Sequence, residues 1–344
     1  MQPFLARRAM EEQAILAYLT LSDNLTEDAL QHSPISLSDS WLTDSFDLRL
    51  QFLQENNHLD ESRLDLFLDQ VSPKLNAAAI KKSLLIQPLV WLRALPKDAK
   101  GLEMALQKAN VDYQREESLF SLENGNILND GKFKNWKFEI QDKSSQETIR
   151  VVAPMLNDKL KVWDCCCGAG GKSLALMAIN HQINLHVSDS RQNIMESFHA
   201  RLKRYGYAYS SATINVKSIG ETLTLMNRSG TPSHIKPGFF DLVVADVPCS
   251  GSGTWARNPE HILQSINLEN YIELQKSILH SIVPFVKKGG HVLYITCSIF
   301  GAENEELINH FTQEEPSFNI AASAYIDGCE ERADTLFYTL LVKN

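Results

Sequence analysis

Asp246-Val247-Pro248-Cys249 follows directly on the apolar run Phe239 to Ala245, and Ile295-Thr296-Cys297-Ser298 ends the run that starts at His291. Each stretch reads as a buried strand closing on a thiol. Free cysteine is among the most buried residue types, so one such residue would ordinarily belong to the core. Two of them at strand termini, beside Asp, Ser and Gly, suggest reactive groups instead. A thiolate that adds to carbon 6 of a pyrimidine turns the ring into an enamine. Carbon 5, otherwise a poor nucleophile, can then take a methyl group from a sulfonium. This is covalent catalysis, in which one hard step becomes two easier ones. A carboxyl at N3 would stabilise the charge that develops there, and a second base must remove the carbon-5 proton before the enzyme can leave. Methylation of an adenine nitrogen needs no thiol, so a pair of thiols points to carbon methylation.

The donor would need its own site. CGAGGKS, from Cys167 to Ser173, fails the phosphate-binding P-loop spacing, because the position five before Gly171 is Cys166. It also fails the dinucleotide fingerprint, since Gly168-Ala169-Gly170 runs on into Gly171, Lys172 and Ser173. What remains is a strand, a tight glycine turn and a helix N-terminus, where backbone N–H groups can approach a ligand closely. S-adenosylmethionine, with an amino-acid end and a ribose but no phosphate, suits that geometry. Asp189 ends the next strand in HVSDS, where an acid takes ribose hydroxyls.

These residues need a scaffold that brings strand ends together. From residue 159 onward strands alternate with helices: KLKVWDC, KSLALMAIN, INLHVSD, IMESFHARLKRYG, FFDLVVAD, NYIELQKSILHSIVPFV and HVLYITCS. Such alternation predicts a parallel sheet with helices on both faces, whose ligands bind beyond the carboxyl ends of the strands. Between about Pro88 and Arg150, PLVWLRAL and KNWKFEIQD read as strands and KGLEMALQKANV as a helix, a small α/β unit. Residues 1–85 carry helical periodicity in EEQAILAYL, SFDLRLQFLQEN and ESRLDLFLDQV. The expected division is therefore 1–85, 86–150 and 151–344.

The chain has 344 residues and a net charge of −9, which lowers the expectation of a nucleic-acid partner without removing it, because a local basic groove can sit on an acidic protein. Candidates for such a groove are Lys132, Lys134 and Lys137, interleaved with Phe133, Trp136 and Phe138, together with Arg201, Lys203, Arg204 and Arg257. Simple alternation on a half-buried strand explains the first group as well, and a solvated helix face explains Arg201, Lys203 and Arg204. No run reaches the roughly 18 apolar residues of a membrane helix, and MQPFLARRAMEEQ lacks a secretory core, so the expected location is cytoplasmic. The six cysteines include the contiguous Cys165, Cys166 and Cys167, and show neither a disulfide frame nor paired zinc spacing; no metal is expected.

With these motifs in place, the chain resembles the RNA cytosine-5 methyltransferases of the RsmB/Nop/Sun family over about residues 85–344. DCCCGAGGK (Asp164 to Lys172) is similar to that family's cofactor loop, VSDS with LKRYG to its second motif, DVPCSGSGT with RNPE to its fourth, and YITCSIFGAENEE to its sixth. FEIQDKSSQ resembles the segment ahead of the catalytic domain, and DTLFYTLLVK the last strand. The resemblance implies a Rossmann-like α/β catalytic domain with a mostly parallel seven-stranded sheet, preceded by a small RRM-like α/β subdomain and an N-terminal helical region. It implies Cys297 as nucleophile, Cys249 as the residue that promotes product release, and Asp246 as the residue that holds the cytosine. Cys166, Cys167, Gly168, Ala169, Gly170, Gly171, Lys172, Asp189, Ser218 and Asp246 would hold S-adenosylmethionine. Ser218 stands where the family has an Asp, and Ala169 where the loop has a proline. The implied substrate is RNA, ribosomal first and transfer RNA second. A non-catalytic RNA-binding or ribosome-assembly factor that keeps the fold is the rival reading.

Overall fold

The computed structural model describes residues 27–56, 67–125, 128, 133, 136–220, 222–227, 229–258, 261, 262, 264 and 266–344. The chain forms two compact units, one of residues 1–87 with 255–265 and one of 88–254 with 266–344. In the first unit, helices run over Glu27–Gln31 (α1), Phe46–Glu55 (α2) and Ala77–Ser83 (α3). Asn76 caps the last of these, its side chain accepting from the N–H groups of Ala78 and Ala79. Trp41 is buried edge-on against Phe52, and Arg49 is buried with it, donating to the Trp41 carbonyl at 3.0 Å. The expected helix in EEQAILAYL lies outside the described residues. Of ESRLDLFLDQV only the end is described, and there Leu68–Gln70 make a single 3-10 turn rather than a longer helix.

The second unit contains two sheets. The smaller pairs Val90–Ala94 (β1), Gln114–Glu116 (β2), Leu119–Leu122 (β3) and Phe138–Ile140 (β4) in the order β2-β3-β1-β4, with every pairing antiparallel. Pro96–Lys108 (α4) starts on a proline at a first-turn position, where the missing N–H costs nothing. Its Leu102 and Leu106 pack on Leu92, Phe120 and Leu122. The helix can approach because Gly101 has no side chain: a Cβ there would overlap the Trp136 ring.

The larger sheet has nine strands in the order β12-β13-β11-β10-β5-β6-β7-β8-β9. Its parallel centre consists of Lys161–Asp164 (β5), Asn184–Asp189 (β6), Ser210–Thr213 (β7), Phe240–Asp246 (β10) and Val286–Thr296 (β11). Phe318–Ile326 (β12) and Leu336–Lys343 (β13) close one side antiparallel. That makes seven strands; the hairpin of Leu223–Asn227 (β8) and Pro232–Ile235 (β9) extends the other edge by two more. The hairpin was not legible because its alternation is mostly polar and exposed, with only Leu223, Leu225 and Ile235 turned inward.

Successive residues of β10 alternate between the two faces. Val243 and Ala245 join Trp163, Val292 and Tyr294 on one side, while Leu242 and Val244 join Val162, Leu293 and Ile295 on the other. Each fully buried Val, Leu or Ile among them stabilises the fold by about 1.5–3 kcal/mol. Helices Lys143–Arg150 (α5), Gly171–Ile179 (α6), Gln192–Tyr205 (α7), Leu268–Ile282 (α8) and Glu305–Glu314 (α9) complete the unit. The strand order reverses at β5, with β6 on one side and β10 on the other. A crevice opens beyond such a reversal. The ends of β5, β6, β10 and β11, carrying Asp164, Asp189, Asp246 and Thr296, surround it.

Candidate functional site

A cavity of about 600 Å³ lies at this crevice, lined by Cys165, Cys166, Gly168, Asp189, Arg191, residues 214–217, residues 246–249, Leu274, Ile278 and Cys297. Its volume falls within the roughly 300–1,000 Å³ of small-molecule sites. The glycine turn forms one wall. Gly168 (φ 52°) and Gly170 (φ 90°) occupy the left-handed region that other residues avoid. The N–H of Gly168 donates to Asp189 Oδ2 at 3.0 Å. Gly170 serves packing: a Cβ there would sit 2.7 Å from the Phe198 ring.

Asp189 accepts four hydrogen bonds, from the N–H groups of Gly168 and Arg191 and from Nε and Nη2 of Arg191, at 2.9–3.0 Å. Burial works against its ionisation, but the hydrogen bonds from Arg191 and Gly168 outweigh burial and hold its carboxyl below the ordinary range. Asp164, fully buried at the end of β5, behaves oppositely. Burial pushes it up to about 7 even though Ser173 donates to its Oδ2 at 2.6 Å.

The second wall carries the two sulfurs. Cys249 Sγ and Cys297 Sγ lie 3.3 Å apart, both as free thiols. Their strands pair in parallel, Asp246 beside Ile295, so residues three and two positions further on meet at the same edge. The hydrogen bond to Cys297, burial, and the charge of Glu303 together push the Cys249 thiol well above the usual range. Across the contact either sulfur can serve as the donor. Lys172 reaches across from α6 and donates to Asp246 Oδ2 at 2.6 Å. Burial disfavours its charge, yet Asp246, with a further contribution from Cys297, raises its pKa above the ordinary lysine value.

Sequence candidates divide in an informative way. Cys166, Gly168, Asp189, Asp246, Cys249 and Cys297 all line the cavity, and Lys172 contacts it through Asp246. The Cys167 sulfur turns into the core toward Met195 Sδ at 3.6 Å, because its residue is buried behind the turn. Ala169, Gly170 and Gly171 shape the turn rather than the lining. Near Ser218 the wall comes from Asn215, Val216 and Lys217, and the Ser218 side chain is not among the described ones.

Arg201, expected on an RNA face, is committed elsewhere: it pairs with the buried Glu139 and donates to the Ala169 carbonyl at 2.8 Å, bracing the glycine turn. Lys137 lies over the Tyr205 ring, and Arg204 donates to the Trp136 carbonyl with Lys203 exposed beside it in sequence. Lys132 and Lys134 lie outside the described residues, and Arg257 belongs to the other unit. Arg191 was missed, although its place two residues after Asp189 was a usable signal. Among the described residues, no three His, Cys, Asp or Glu side chains are grouped to hold a metal, and no helix is long and apolar enough to cross a membrane.

Gly253 joins the two thiol-bearing loops. Its N–H donates to the Cys297 carbonyl and its carbonyl accepts from Thr335, both at 2.9 Å, and a Cβ would overlap the Thr335 carbonyl oxygen. Gly253→Ala should destabilise the unit by about 1–3 kcal/mol or more, seen as a lower urea midpoint.

The fold is that of S-adenosylmethionine-dependent methyltransferases. The chain belongs to the 16S rRNA methyltransferase RsmB/F family, whose model matches residues 150–335. It is 30% identical over 243 residues to the probable ribosomal RNA small subunit methyltransferase B of Bacillus subtilis (strain 168), covering 68% of this chain and 51% of that protein. It is 28% identical over 211 residues to the methyltransferase B of Proteus mirabilis (strain HI4320), covering 59% and 46%. The chain thus spans about half the length of the curated relatives it matches. A methyltransferase homologue from Pyrococcus horikoshii shares the fold, with a TM-score of 0.64 at 19% identity, covering 82% of this chain and 99% of that one. S-adenosylmethionine is the cofactor of this family fold, and the cavity fits it in size and lining, with the Asp189 carboxylate at one wall and the apolar side chains of Ile214, Val216, Leu274 and Ile278 at another.

Proposed function

We propose that the chain is an RNA cytosine-C5 methyltransferase acting on ribosomal RNA, with Cys297 as nucleophile and Cys249 assisting release. The observation that carries this reading is the Cys249–Cys297 contact at 3.3 Å, open to the same cavity as Asp189. Cys297 loses its thiol proton to solvent and adds to carbon 6 as the thiolate, with Cys249 beside it. Asp246 meets the N3 edge of the base. Lys172 holds that carboxylate and offers a proton as N3 gains charge. Bound S-adenosylmethionine supplies an electrophilic methyl group for carbon 5. N3 then returns its proton to Lys172, a solvent base takes the carbon-5 proton, and the bond from Cys297 Sγ to carbon 6 breaks to give back the thiolate, with Cys249 adjacent to that bond.

The target carbon is buried by stacking in a duplex, so the cytosine is flipped out or taken from a loop. Lys137, Lys203 and Arg204 supply local positive charge for the backbone. Residues 86–150 are read as an RNA-binding subdomain between a helical region at 1–85 and the catalytic domain at 151–344. The strand order β4-β1-β3-β2, with a helix between β1 and β2, supports an RRM-like reading of it. The reading places the enzyme in the cytoplasm.

Incubation with ribosomal RNA, transfer RNA and labelled S-adenosylmethionine, followed by bisulfite sequencing, tests the proposal. The expected result is one protected cytosine in ribosomal RNA. A label on transfer RNA alone would redirect the substrate, and a label on another base or none at all would overturn the reading.

A further inference from the structure

Glu303 is a fully buried carboxylate between the two thiol-bearing loops. Its Oε1 accepts from the N–H of Ser250 at 2.9 Å and from Gln275 Nε2 at 2.8 Å. Its Oε2 accepts from the hydroxyls of Ser250 and Ser298, each at 2.5 Å. Ser250 follows Cys249 and Ser298 follows Cys297, so one side chain holds the residue next to each sulfur. The surroundings reinforce the tie. Gln275 also donates to the Pro248 carbonyl at 3.0 Å, and Asn304 donates to the Ser298 carbonyl at 2.8 Å. The two serine hydroxyls lie 3.1 Å apart.

A carboxylate has about four lone-pair sites, and here each meets a donor. Burying the charge in that way is costly unless every site is satisfied. The same arrangement ties chain segments 48 positions apart beyond the last ladder pair of β10 with β11, Asp246 with Ile295, where the Gly253–Cys297 backbone hydrogen bond is a further link.

We propose that Glu303 is a positioning residue that clamps the Cys249 and Cys297 loops and so sets the separation of the two sulfurs. Its importance for catalysis rests on the cysteine roles proposed above; the clamp itself does not. Glu303→Asp shortens the arm by one methylene and cannot reach both loops. Glu303→Gln keeps the arm: its oxygen accepts from Ser250 N–H and Gln275, and its amide donates to the serine hydroxyls, which can reverse.

The test uses the full chain and two readouts. The first is the rate at which diamide closes a Cys249–Cys297 disulfide, two thiols giving up two electrons and two protons to the diazene, followed by mass spectrometry. The second is methylation, with kcat separated from the KM for S-adenosylmethionine. Displacing one sulfur by about 1 Å costs on the order of 100-fold. Glu303→Asp should slow both bridging and kcat by about that factor while leaving S-adenosylhomocysteine affinity unchanged. Glu303→Gln keeps the loops joined and removes only a lesser cause of the raised Cys249 pKa, behind the hydrogen bond to Cys297 and burial, so both readouts should stay within a few-fold of wild type. Wild-type bridging in Glu303→Asp overturns the clamp, as does loss of S-adenosylhomocysteine binding in step with bridging, which marks a general structural role. Glu303→Gln as slow as Glu303→Asp overturns the hydrogen-bond argument. Glu303-dependent bridging in a wild-type chain that methylates no cytosine upholds the clamp and refutes the functional reading instead.

Discussion

Cys297→Ala is expected to lower methyl transfer to RNA by a factor on the order of 10⁴ or more, measured with labelled S-adenosylmethionine under single-turnover conditions. Without a sulfur to add at carbon 6, carbon 5 stays a poor nucleophile whatever else the site retains. Cys249 is only 3.3 Å away, so a substitute is at hand in distance. It is not a substitute in chemistry. The neighbouring sulfur, the largest cause of its raised pKa, goes with the substitution, but burial and the charge of Glu303 still hold its proton, and the thiolate, not the thiol, attacks. The variant removes a small side chain at a strand end, beyond the last ladder pair at Thr296, so the sheet should persist. Turnover at the wild-type rate in this variant would move the nucleophile elsewhere and dismiss the assignment.

Cys249→Ala should do something different: a covalent protein–RNA adduct accumulates. Addition and methylation need Cys297, Asp246 and Lys172, all of which remain. Release needs the carbon-5 proton removed while the carbon–sulfur bond breaks, and the group next to that bond is gone. The expected result is a slow-migrating band on a denaturing gel, sensitive to ribonuclease and dependent on S-adenosylmethionine, with multiple turnover reduced about 100-fold or more. The double variant lacking both sulfurs should give no adduct. An adduct in Cys297→Ala with none in Cys249→Ala would exchange the two roles.

The strand alternation was readable from sequence because burial on both faces leaves apolar runs such as Leu242 to Ala245 and Val292 to Ile295. Asp246, Cys249 and Cys297 stood out for a related reason: each follows such a run, and parallel strands in this architecture end together. The β2–β3 and β8–β9 hairpins were missed because short or mostly exposed strands carry weak periodicity. Arg201 reads from sequence as a candidate RNA contact, and nothing local announces Glu139, 62 positions away, as its partner. The CCC triplet could not say which sulfur faces the ligand. Folding decided that Cys166 lines the cavity and Cys167 turns to Met195.

Local order determined which residues end the strands, where the chain turns on glycine and that a nucleoside-like donor suits the turn; these depend on periodicity and backbone freedom within a few residues. Tertiary structure alone decided that β10 lies between β5 and β11, and so that the sulfurs touch, that Lys172 meets Asp246 and that Glu303 joins both loops. Lateral strand order and buried hydrogen-bond partners arise from packing between distant segments, and no short-range pattern encodes that packing.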